Sequence, residues 1–106
     1  MRESCSRIIR YVRGLSFEAF RSDEKTVDAV LRNLAVIGEA VKHLPHDLKD
    51  RYPQMDWRKI AGLRDIIVHE YFGIDEDILW DVVKNKIPKL LESVEQILSE
   101  LTSHEG

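Results

Sequence analysis

The run from Asp23 to Leu44 constrains the fold of this chain more than any other segment. Val27, Val30, Leu31, Leu34, Ile37, Val41 and Leu44 recur at spacings of three and four, so on a helix they form one apolar stripe. A stripe of that length has to be buried against other elements. Ser22 or Asp23 can cap its start, and Pro45 ends it. Gly38 lies inside the stripe, where Gly costs a helix about 1 kcal/mol relative to Ala. Close approach of a second helix is the physical reason to have it there.

The remaining sequence reads as further helices. One over residues 4–13 carries Ile8, Ile9 and Val12 and stops at Gly14. A short turn of helix fits Asp47 to Arg51, before Pro53. The next starts near Asp56 or Trp57 and runs through Ile60, Leu63 and Ile67. A last one begins around Gly73-Ile74-Asp75, with Asp75 as its cap and Ile74 packing on Leu79 as a hydrophobic staple. It carries Ile78, Leu79, Val82, Val83, Ile87, Leu90, Leu91, Val94, Ile97 and Leu101, and Pro88 should kink or divide it. No segment alternates long enough to make a sheet. The expected fold is all-α, an antiparallel bundle of four to five helices forming one domain over residues 1–106.

Composition then narrows the function. Hydrophobic residues at 43% and charged residues at 33% describe a globular rather than a disordered chain. No apolar run approaches the ~18 residues of a membrane span, and residues 1–7 do not lead into a signal core. The single cysteine, Cys5, excludes an intrachain disulfide and fits a reducing cytoplasm; we expect a passive thiol near a frayed end. A net charge of −3 lacks the basic excess of a dedicated nucleic-acid binder. Any RNA site must therefore be a local basic patch or one created by dimerisation. His43 and His46 sit either side of Leu44-Pro45 with no Cys or carboxylate set beside them, so no metal or cofactor is expected. Trp57 and Trp80 read as core or interface aromatics.

The segment Arg64-Asp65-Ile66-Ile67-Val68-His69-Glu70-Tyr71-Phe72-Gly73 carries the chemistry. On a helical wheel Arg64 falls between Ile60 and Val68, within an apolar stripe. Its charge must be paired, with Glu39 or Asp65 as candidates, or opened to a cleft. His69 follows five residues later, about 140° round a regular helix. The two can converge on one phosphate only if the helix ends near His69, or if a second subunit supplies one of them. Arg58-Lys59 with Arg64 is either an RNA-facing patch or a solvated helix face.

Arg64, four residues, His69, one residue and Tyr71 resemble the R-x-x-x-x-H-x-Y signature of HepT-like toxins of the HEPN superfamily. The flanks are similar too: Leu31-Arg32-Asn33-Leu34 through Ile37-Gly38-Glu39-Ala40, Tyr52-Pro53 with Trp57-Arg58-Lys59-Ile60-Ala61-Gly62, and Tyr71-Phe72-Gly73-Ile74. The likeness runs from about Phe17 to Leu90, and the chain is shorter at its start than is usual in that family. The resemblance implies a cytoplasmic homodimer whose two motif regions face one cleft and cleave RNA without a metal. His69, which titrates near neutrality, would be the acid–base group, and Arg64 would hold the phosphate. Asp65 could orient one of them or simply face water. Tyr71 would be the residue to which a partner, a small MntA-type nucleotidyltransferase antitoxin, adds AMP. The alternatives are a non-catalytic HEPN domain binding nucleotide or RNA, and a helical module gripping a protein partner.

Overall fold

The computed structural model describes the backbone of residues 1–69 and 76–105, and the side chains of residues 1–64 and 76–102. Helix α1 (Arg2–Val12) ends where Gly14 takes a φ of 78°, a conformation that suits the residue without a Cβ. The chain then enters α2 (Phe17–Ser22), a short helix that the hydrophobic pattern does not announce. Its local signals are Ser16, whose hydroxyl accepts from the Ala19 amide at 3.1 Å, and an aromatic pair three residues apart. Phe17 and Phe20 both pack on Trp80, with ring centroids 6.0 and 5.0 Å away.

Helix α3 (Glu24–Lys42) is the element the stripe predicts, and Asp23 is its cap. The Asp23 carboxylate accepts from the Thr26 amide at 3.2 Å and the Thr26 hydroxyl at 2.7 Å, and the hydroxyl bond above all lowers its pKa. Val30, Leu31, Leu34, Ile37 and Val41 are buried along the inner face, while Val27 and Leu44 are half-buried. Asn33 is also buried, and its amide donates to the Ala29 carbonyl at 2.8 Å.

Beyond Pro45 lies α4 (His46–Arg51), then α5 (Trp57–His69), whose first turn is tied by Asp56 accepting from the Lys59 amide at 3.2 Å. Trp57 is half-buried, and its indole N–H is shared between the Lys49 and Tyr52 carbonyls at 3.2 and 3.1 Å. The final rod comprises α6 (Glu76–Asp81), a π-helical segment (Val82–Lys86) and α7 (Ile87–Glu105). Pro88 explains that division. It has no N–H to offer the Lys84 carbonyl, and its ring would collide with that carbonyl in a regular helix. A widened turn, with the Ile87 amide bonded to the Val82 carbonyl, lets the rod pass it. The expected staple partner Ile74 and cap Asp75 lie outside the described residues. Ile78, on the apolar list for this rod, is 63% exposed.

The result is an all-α, HEPN-like bundle: α3 packs on α1 and α5, and α1 also packs on α7. One core cluster joins Cys5, Ile8 and Val12 to Phe20, to the α3 stripe and to Leu79, Val83, Ile87, Leu90 and Val94. No described helix is long and apolar enough to cross a membrane.

Cys5 differs from its expected place near a frayed end. It is fully buried in that core, and desolvation raises its thiol pKa to about 11. The thiol is passive because it is dry and protonated. Alkylation at pH 8 should therefore proceed only as fast as the protein unfolds, which a labelling time course against urea concentration would check; rapid labelling of native protein would contradict the packing. Tyr52 gives a second expectation. Its hydroxyl donates to Glu100 Oε2 at 2.8 Å, tying the residue after α4 to α7, and this bond raises its pKa. Tyr52→Phe should lower stability by about 1 kcal/mol in chemical denaturation. A raised pKa means the bond contributes fully below the ordinary tyrosine value and is lost as pH climbs from there through the raised one.

Candidate functional site

Helix α5 reaches α3 at one tight crossing. A Cβ built on Gly38 would lie 2.7 Å from the Arg64 amide nitrogen, 3.0 Å from Arg64 Cβ and 3.1 Å from the Ala61 carbonyl oxygen. Two of these are backbone atoms that cannot swing aside. The glycine inside the stripe is thus explained by the approach of the helix that carries Arg64.

The next residue along α3 holds the arginine side chain. Glu39 Oε2 lies 2.7 Å from Arg64 Nε, and Glu39 Oε1 lies 3.1 Å from His43 Nε2. Glu39 therefore bridges a guanidinium on α5 and an imidazole one turn ahead on its own helix. Of the two partners the sequence offers for Arg64, Glu39 is the one seen against it; the Asp65 side chain lies outside the described residues. Glu39 Oε2 is shielded from solvent and makes no aligned hydrogen bond, so its contact with Arg64 is one of charge and proximity. The Arg64 side chain as a whole is 42% exposed and that of Glu39 46%, and ion pairs this open contribute about 0–1 kcal/mol. The pair adds little to the stability of the bundle.

His69 lies on the same helix as Arg64, five positions on. In a regular helix those positions stand about 140° apart round the axis and ~7.5 Å along it. The side chain of His69 and the whole of Tyr71 lie outside the described residues. Arg58 is exposed and Lys59 extends into solvent near Asp56 at 3.8 Å, as both a solvated face and an RNA-facing patch would require. His43 is turned to Glu39, and among the described residues no group of His, Cys, Asp and Glu could hold a metal ion. Trp80 belongs to the core packing around Phe20.

A cleft of about 540 Å³ opens elsewhere, between the start of α1, α4 and α7. Its walls are largely apolar, including Leu44, Leu48, Trp57, Val94 and Leu98, and Arg64 is not among them. Size alone does not make it the reactive site, because it lacks converging acid–base groups.

A helical bundle with a positioned arginine five residues before a histidine is what the comparisons bear on. The sequence profile of the family described as Ribonuclease HepT-like matches residues 1–97. The chain belongs to the HepT-like ribonuclease family. This HepT-like chain is 44% identical over 99 residues to a Methanocaldococcus jannaschii protein named "Putative RNase MJ0127", covering 93% of this chain and 82% of that one. It is 42% identical over 95 residues to a Thermococcus cleftensis protein named "Probable ribonuclease HepT", covering 90% and 86%. No solved structure matches it significantly.

Sequence reasoning found Arg64 from its motif and offered Glu39 only as one of two partners. The signal that favours Glu39 was present: it directly follows the glycine that marks the crossing.

Proposed function

We propose that this HepT-like chain is the toxin of a toxin–antitoxin pair and cleaves RNA without a metal. The observation that carries the reading is Arg64, held by Glu39 at the α3–α5 crossing on the helix that also bears His69, in a chain whose family and relatives are named as ribonucleases. Arg64 holds the scissile phosphate and the negative charge that builds there during displacement. His69 takes the proton from a ribose 2′-hydroxyl. The 2′ oxygen bonds to phosphorus, the bond to the 5′ oxygen breaks, and a second His69 returns a proton to that leaving oxygen. The products are a 2′,3′-cyclic phosphate end and a 5′-hydroxyl end.

The two histidines come from the two subunits of a homodimer, since each chain carries one His69. Asp65 supports one of these groups. Tyr71 accepts AMP from an MntA-like nucleotidyltransferase antitoxin, and an anionic adduct two residues from His69 both fills the cleft and repels RNA. The setting is cytoplasmic, and no cofactor is required.

The test is cleavage of several RNAs by purified protein in EDTA, with the product ends identified. Cyclic phosphate ends without added metal support the reading; cleavage that needs a divalent ion, or no cleavage of any RNA, sinks it. A second reading, a HEPN domain that binds nucleotide or RNA without cutting, draws on the pairing of Arg64 with Glu39, which offsets part of the charge a transition state would need. RNA binding with no cleavage would establish it instead.

A further inference from the structure

We infer that Glu39 is a positioning residue for Arg64, setting the guanidinium for phosphate from the neighbouring helix. The inference rests on the ribonuclease reading of the same site. Its basis is a juxtaposition: consecutive residues on α3 hold both ends of Arg64. Gly38 admits the Arg64 backbone, with its amide nitrogen 2.7 Å from where a Cβ would stand, and Glu39 Oε2 meets Nε at 2.7 Å. An arginine is a long side chain with several rotatable bonds, and orientation of a reacting group controls rate more than binding. A carboxylate 2.7 Å from Nε fixes a negative charge on one side of the guanidinium and narrows the range of attitudes the fork can take. The second oxygen of Glu39 is occupied by His43 Nε2 at 3.1 Å, which limits rotation of the carboxylate itself.

Charge alone argues the other way, and that makes the idea testable. A carboxylate beside the phosphate-binding arginine weakens attraction for RNA, so removing its charge should not weaken binding. A positioning role therefore predicts a split: Glu39→Gln lowers kcat while KM stays level or falls. A residue needed only for the fold would lower melting temperature without that split.

The experiment is single-turnover and steady-state cleavage of an RNA oligonucleotide by wild type, Glu39→Gln and Glu39→Asp, at equal folded concentration well below each melting temperature. It is paired with ¹⁵N relaxation of the Arg64 Nε–H bond vector. The expected result is a kcat loss of about tenfold or more for Glu39→Gln with KM within threefold or lower, partial recovery in Glu39→Asp, and a more mobile Arg64 Nε–H in Glu39→Gln. Wild type that cuts alongside a Glu39→Gln protein that cuts equally well overturns the positioning role and leaves the ribonuclease reading standing. A loss confined to KM overturns it as well. Wild type that cuts no RNA overturns both together. Should Glu39→Gln fail to fold, Glu39→Asp decides: unchanged kcat with an unchanged Arg64 relaxation profile overturns the inference.

Discussion

His69→Ala is expected to lower RNA cleavage by about 10²–10⁴-fold while leaving the fold intact. That range is what a single positioned acid–base group contributes to a proton-transfer step. The loss should sit at the upper end if both histidines of a dimer act in one cleft, because the substitution removes base and acid together. Circular dichroism and the melting temperature of the variant would check that the fold persists. The check is cleavage in EDTA by wild type and variant from parallel preparations. If both cut equally, the activity belongs to another site or to a contaminant. Mixing wild type with His69→Ala adds a second readout: if each cleft needs two histidines, heterodimers are as inactive as variant homodimers.

Gly38→Ala is expected to damage both stability and activity, although alanine is the better helix former. Helix propensity favours the substitution by about 1 kcal/mol. Against it stands a methyl group 2.7 Å from the Arg64 amide nitrogen and 3.1 Å from the Ala61 carbonyl oxygen. Overpacking of this kind costs about 1–3 kcal/mol, and here the obstacles are backbone atoms of α5, which moves only as a unit. The net expectation is destabilisation by about 1 kcal/mol, read from urea denaturation. Cleavage should fall further than stability does, because α5 must retreat and carry Arg64 with it. A Gly38→Ala protein as stable and active as wild type would mean that the two helices do not cross this closely. Gly62, which also lies in α5, provides the control: a Cβ there would meet nothing within 4 Å, so Gly62→Ala should be neutral or mildly stabilising.

Much of the fold could be read from local signals. The α3 stripe, the Asp23 cap and the break at Pro88 all depend on residues within a turn or so of one another, and each appears where it is expected. The short α2 escaped notice because six residues hold too little pattern, and its stability comes from Phe17 and Phe20 packing on Trp80 far along the chain. The burial of Cys5 escaped for a related reason. Nearness to a terminus says nothing about which face of α1 meets α3 and α7.

The candidate site divides the same way. The sequence by itself determined that one helix carries Arg64 and His69, that a glycine interrupts an apolar stripe, and that the family is HepT-like. These are properties of spacing and residue type, which a chain expresses before it folds. Only the tertiary structure decided that the glycine faces Arg64 and that Glu39, rather than water, stands at its Nε. Those facts belong to the packing of α3 against α5. Packing is set by how every apolar face is buried at once, so no short stretch of either helix encodes it.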